Sequence, residues 1–238
     1  MQTIAEKTVR EIALEHPASM PVFESLNIDY CCAGDRRLAD ACRNAGIEVD
    51  HLLRLIDRAE RDANAPIADW RETSLAELIA HIVNKHHAFV RQEIPRIESL
   101  LIKVCAKHGS AHPELQEIDA LFRAIGQELS THLFKEEHVL FPYIERTENA
   151  AANGEPRPQA CFDSVMRPIA NMMAEHDDAG ALLQQIRDLS GTYTPPAGAC
   201  PTFHALYRAL GAFERDLHQH VHLENNVLFP RAIEMEQA

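Results

Sequence analysis

An all-α fold is predicted, an antiparallel four-helix bundle preceded by a smaller helical region, and three features carry the prediction. Apolar residues recur at alternating spacings of three and four through four long segments, the period of a helix with one buried stripe. No segment alternates with period two, so no sheet is expected. An uncommon pattern, H-x-x-x-E-x-x-x-L-F-P, occurs twice, from His132 to Pro142 and from His220 to Pro230.

Composition narrows the class before any element is placed. The 238 residues suffice for one large or two modest domains, and a charged fraction of 25% is that of a soluble globular chain. A formal net charge of −13 argues against nucleic acid or an anionic membrane as partner. The first residues, MQTIAEKTVREIALEH, contain no apolar signal core and no run approaches a membrane span, so a cytoplasmic protein is expected. The six cysteines include no CxxC pair and do not read as a disulfide framework. The 14 histidines need an account.

In order along the chain, residues 1–62 form the small helical domain. Thr8-x-x-Glu11 is a capping-box pattern opening one short helix, which His16-Pro17 interrupts. Val22-Phe23-x-x-Leu26 suggests a second, and Leu38–Ala45 and Val49–Ala59 two more. The break from Asn27 to Gly34 carries the vicinal pair Cys31-Cys32, with Cys42 following. Adjacent cysteines at a turn read either as small packing residues or as a solvent-reachable thiol pair for metal transfer or redox work. Residues 63–74 make a polar linker containing Pro66. Residues 75–238 then hold the bundle, opened by a second capping box, Ser74-x-x-Glu77. Its helices cover roughly 75–106, 113–147, 162–190 and 201–235, with Pro113 and Pro201 at helix starts. Pro95, Pro142 and Pro230 are expected to kink or end their helices.

Each helical stripe is interrupted at one level. Val83, Val90, Ile97 and Leu101 flank His87; Phe122, Ile125, Leu129, Val139 and Tyr143 flank His132 and Glu136. Ile169, Met172, Ala179 and Leu183 flank His176; Leu210, Phe213, Leu217 and Val227 flank His220 and Glu224. Residues four apart on a helix lie on one face, about 6 Å apart along its axis, so an imidazole and a carboxylate so spaced reach one ion. Burying these six groups unpaired would cost several kcal/mol each, a cost that a metal removes. His87 and His132 stand 45 residues apart and His176 and His220 stand 44, as an internal duplication would leave them. Mixed imidazole and carboxylate donors suit iron or manganese, and zinc less well. If Glu136 and Glu224 both bridge, each of two metals receives two nitrogens and two oxygens. An octahedral ion then keeps one position for a shared oxo or hydroxo bridge and one open.

Other polar residues receive smaller parts. His86 lies about 100° round the helix from His87 and reads as a group that orients ligands. His138, His218, His222, Glu137 and Glu175 are displaced from the seam and read as solvated or ligand-orienting. Tyr143 is a packing residue or, more speculatively, a redox-active phenol. Cys105, Cys161 and Cys200 read as core or loop residues. His16, His51, His81, His108, His112 and His204 receive no role.

The set His87, His132-x-x-x-Glu136, His176, His220-x-x-x-Glu224 resembles the hemerythrin-like di-iron bundles. Asp29-Tyr-Cys-Cys-Ala-Gly34, with Leu38-x-x-Ala41-Cys42, resembles the N-terminal domain of the repair-of-iron-centres family. Glu175-His-Asp-Asp-Ala-Gly180 and Leu223-Glu-Asn-Asn-Val-Leu-Phe-Pro-Arg231 extend that likeness over nearly the whole chain. Ala33 departs from the family, which usually has glycine there, and this bears on the local backbone.

The resemblance implies a cytosolic protein with two non-haem irons, oxo- or hydroxo-bridged, that restores iron–sulfur clusters damaged by nitric oxide or peroxide. It further implies damaged iron–sulfur proteins as partners, a small gas or peroxide ligand at iron, and a thiol role for Cys31 and Cys32. Nucleic acid and membrane are not expected partners, and a homodimer is left open. Two other functions fit the same residues: a di-iron nitric oxide reductase or peroxidase, and an O₂- or NO-binding sensor module.

Overall fold

The computed structural model of the protein describes residues 4–62 and 70–237, and all of its regular structure is helical. The expected linker, 63–74, lies largely outside the described residues, and Trp70 to Thr73 form a turn. By their contacts the residues group into two compact units, Met1–Thr73 with Val221–Pro230, and Ser74–His220 with Arg231–Ala238.

In the first unit, α1 (Val9–Glu15) starts where Thr8 and Glu11 close the expected capping box, the Glu11 amide donating to Thr8 Oγ1 at 3.1 Å. Next come α2 (Met20–Ser25), α3 (Leu38–Ala45) and α4 (Val49–Asp62). Val9, Ile12, Phe23, Tyr30, Leu38, Leu52 and Ile56 form its apolar core. The loop after α2 turns at Asn27, whose φ is 55°. Gly34 ends the loop against the chain itself: a Cβ there would stand 2.7 Å from the Tyr30 carbonyl oxygen, so only glycine fits. Ala33 has no such constraint, since Asn27, Thr192 and Tyr193 are the non-glycine residues of positive φ among the described residues.

The second unit is built on long helices. Helix α5 (Leu75–His81) opens with the Ser74–Glu77 capping box, and Glu148 accepts the amides of Leu75 and Ala76 at 2.6 and 2.9 Å. Through a wide turn, Ile82–His87, the helix continues as α6 (Ala88–His108), with Pro95 inside it. Helices α7 (Glu114–Lys135) and α8 (Phe141–Asn153) are joined by a second wide turn, Glu136–Leu140. Then follow α9 (Met166–Leu189), α10 (Pro201–Leu223), a third wide turn, Glu224–Leu228, and α11 (Phe229–Gln237). The core follows the predicted stripe, with Ile97, Leu101, Phe122, Ile125, Ile169, Leu183, Leu210 and Phe213 all buried. The buried pair Arg187–Glu214, 3.1 Å from Nε to Oε1, links α9 to α10.

The wide turns are π-helical, and they explain what the prolines do. Pro142 and Pro230 neither end nor break their helices. In each turn the residue before the proline reaches back five positions: the Phe141 amide donates to the Glu136 carbonyl, and the Phe229 amide to the Glu224 carbonyl. A proline has no N–H to continue the ordinary ladder, and a turn one residue longer absorbs that loss. Val139, expected in the seam, is 39% exposed, while Leu140 is 2% exposed. In the second turn, of the same width, Val227 is 4% and Leu228 0% exposed, so turn width alone does not expose the valine.

Candidate metal centre

Every one of the six residues expected at the interrupted level is fully or almost fully buried. They assemble into two groups, one of His87, Glu136, His220 and Glu224, the other of His132, Glu136, His176 and Glu224. Within each group one donor atom per residue lies within 4.8 Å of the rest. Both carboxylates belong to both groups. The imidazoles are paired across the two hairpins: His87 Nε2 faces His220 Nε2 at 3.1 Å, and His132 Nε2 faces His176 Nε2 at 3.0 Å. Two of the three wide turns begin at the shared carboxylates and the third ends at His87, so the irregular backbone coincides with the site.

Glu136 supplies the test of fit. Its side chain has no solvent exposure and neither oxygen accepts a hydrogen bond. The nearest cationic or donor groups are imidazole nitrogens, His132 Nε2 at 3.2 Å from Oε1 and His87 Nε2 at 3.5 Å from Oε2. A buried carboxylate without donors is costly unless a cation satisfies it. Four imidazoles and two carboxylates form a donor set for a transition metal rather than for calcium or magnesium.

Two outer carboxylates prepare the imidazoles. His87 Nδ1 lies 2.6 Å from Glu137 Oε1, and His132 Nδ1 lies 2.8 Å from Glu175 Oε2. An Nδ1–H donated to a carboxylate leaves Nε2 deprotonated and its lone pair directed into the site. Each outer carboxylate is itself held by a cation, Glu137 by Arg91 and Glu175 by Lys135. Burial pushes both carboxyls up, but the hydrogen bonds from the histidine and its cation outweigh it, and both end below the usual carboxylate range. A cavity of about 510 Å³ beside this second pair is lined by Gln127, Thr131, His132, Lys135, Glu175 and Asp178, among others.

The remaining polar residues divide. His86 is fully buried, with Nδ1 3.1 Å from Asp216 Oδ1 and its ring parallel to that of His220 at 5.8 Å. Asp216, four residues before His220, is a partner that sequence reading missed, although the i, i+4 spacing signals it. His138 is exposed, as expected, with Nδ1 bonded to the Phe134 carbonyl. His222 departs from expectation. It is buried, its ring lies edge-on to Tyr30 at 5.3 Å, and Asn226 bridges from its Nδ1 to the Tyr30 carbonyl. Tyr143 donates to Glu236 at 2.7 Å, and Glu236 in turn accepts the Val165 amide that starts α9.

Cys31 is buried and Cys32 half-buried, their sulfurs 3.8 Å apart. The Asp29 carboxylate gathers the amides of Cys31, Cys32 and Ala33 at 2.9, 3.0 and 3.2 Å, which sets the shape of the loop. The hydrogen bond to Cys32, then burial, then the Asp29 charge hold the Cys31 thiol well above its ordinary range, so it stays protonated. A solvent-reachable pair was one expectation; only Cys32 is partly open.

The sequence matches the family described as Hemerythrin HHE cation binding domain over residues 78–232, and one described as Domain of Unknown function (DUF542) over residues 5–60. The iron-sulfur cluster repair protein YtfE of Pectobacterium atrosepticum is 34% identical, over 97% of this chain and 98% of its own. That of Yersinia pseudotuberculosis is 33% identical, over 94% of this chain and 96% of its own. No helix among the described residues is long and apolar enough to cross a membrane. With likeness running through both regions and nearly end to end, the chain belongs to the family of iron–sulfur cluster repair proteins and carries its hemerythrin HHE domain over residues 78–232.

Proposed function

We propose that His87, His132, Glu136, His176, His220 and Glu224 bind two non-haem iron ions, and that the protein uses them to restore iron–sulfur clusters damaged by nitric oxide or peroxide. The observation that carries this reading is the sharing of Glu136 and Glu224 between two four-residue groups, which is what a carboxylate-bridged pair of ions requires. The curated relatives are named for iron–sulfur cluster repair, which supplies the recipient. Iron bound there contributes one-electron chemistry and an exchangeable metal for an incomplete cluster.

The chain's own residues do the rest. Glu137 and Glu175 keep a proton on the outer nitrogen of His87 and His132, so that the inner nitrogen is a donor. Phe141, buried, stacks on the His87 ring at 5.7 Å and keeps water from that side of it. The cavity beside His132 gives a small solute a place next to one group of ligands. Cys32, half-buried, is the thiol of the pair that a recipient protein can reach, and Cys31 lies buried beside it. All six cysteines are free thiols, which suits a reducing compartment such as the cytoplasm.

Metal analysis of protein purified in air is the first test: about two irons per chain with near-ultraviolet absorption of a bridged ferric pair is the expected result. Zinc, or no metal, overturns the reading. The double variant Cys31→Ser, Cys32→Ser should keep its iron and lose activity in restoring a damaged cluster; unimpaired restoration removes the thiols from the function.

A further inference from the structure

A second pair of reactive groups lies at the opposite end of the bundle, where α6 stops and α10 starts. His108 is 21 residues beyond His87 along α5–α6, about 30 Å at the rise of a helix. Cys200 stands immediately before α10, and its carbonyl accepts the His204 amide at 3.1 Å, which makes it the capping residue. The amides of Phe203 and Thr202 in the first turn point to its sulfur, and His108 Nε2 is 3.2 Å from Sγ. His108 is steadied by the Phe203 ring, edge-on at 5.5 Å. His112 packs on the same ring and is engaged with Glu114 at 3.0 Å. The sulfur is partly exposed.

We infer that Cys200 and His108 form a thiol–imidazole pair that reacts with hydrogen peroxide. The thiol proton passes to His108 Nε2, the thiolate attacks one peroxide oxygen, and an S–O bond forms as the O–O bond breaks. Sulfur is oxidised by two electrons to a sulfenic acid, and the peroxide is reduced. The departing hydroxide takes the Nε2 proton of His108 and leaves as water. The pair thus supplies both the nucleophile and the acid that the leaving group needs. First-turn amides, then His108, lower the thiol to about 7. The site is independent of iron binding at the other end of the bundle.

The experiment uses the metal-loaded, full-length protein, limited iodoacetamide at pH 6, and quantitative peptide mass spectrometry. The exposed Cys161 is the internal reference. Relative to an ordinary thiol of about 8.5, one titrating near 7 holds about thirty-fold more thiolate at pH 6 but loses about five-fold in nucleophilicity, a net gain of about six-fold. Cys200 is therefore expected to label about six-fold faster than Cys161, and His108→Gln to reduce the advantage. After brief peroxide, dimedone is expected to tag Cys200 in the wild type and far less in His108→Gln. Labelling of Cys200 no faster than Cys161, an unchanged rate in His108→Gln, or no dimedone adduct on Cys200 overturns the inference.

Discussion

The two copies of H-x-x-x-E-x-x-x-L-F-P share a backbone and their buried Leu-Phe, and differ on the outer face. Both place their histidine and glutamate inward, and both pass through a π turn before Phe-Pro. On the outer face they diverge. Phe134 and His138 of the first copy stack on each other at 4.1 Å, with Phe134 58% exposed. Their counterparts in the second copy, His222 and Asn226, bond each other and reach Tyr30, and His222 is 3% exposed. Val139 is 39% exposed where Val227 is 4%. Glu137 of the first copy backs the imidazole of His87, and the same position in the second is the buried Asn225. The two copies thus agree on the inner face, which carries the candidate metal ligands. Their outer faces have been put to two uses: one supports a ligand from solvent, the other anchors the loop that leads into Cys31-Cys32.

The largest expected effects test the shared inner face. Glu136→Ala and Glu224→Ala each remove an oxygen from both groups, so iron should fall from about two per chain toward zero in either variant, while His218→Ala keeps it. Loss of metal at 100 times its dissociation constant should also cost about 2.7 kcal/mol, read as a lower melting temperature. If one glutamate variant retains its iron, the copies are not equivalent inside. Next come the outer carboxylates. Glu137→Gln and Glu175→Gln should weaken metal affinity about 10–100-fold without unfolding the protein, measured by competition with a chelator.

Smaller effects separate the outer faces. His222→Ala should cost about 2–3 kcal/mol in urea denaturation, because it opens a buried contact with Tyr30 and removes one of the two partners of Asn226. The matching change in the first copy, Phe134→Ala, should stay within about 0.5 kcal/mol. Asn226→Ala should cost about 1–2 kcal/mol and His138→Ala almost nothing. Equal costs in the two copies would erase the distinction drawn between them.

Much of this was legible in one dimension. The helices, both capping boxes and the six-residue His/Glu set follow from local rules, since i, i+4 spacing and apolar period act within a single helix. Other features depend on which helix neighbours which, and a single chain cannot display that. Which imidazoles pair, His87 with His220 and His132 with His176, is decided by packing across the hairpins. The exposure of Val139, where Val227 is buried after a turn of the same width, is decided by what packs on each copy's outer face. Burial of Cys31 and His222, and the meeting of Cys200 with His108 across 92 positions, come from contacts between distant segments. The sequence by itself determined which His and Glu side chains interrupt the apolar stripe at one level; tertiary structure decided which of them meet, because pairing is a property of the packed chain and spacing a property of the helix.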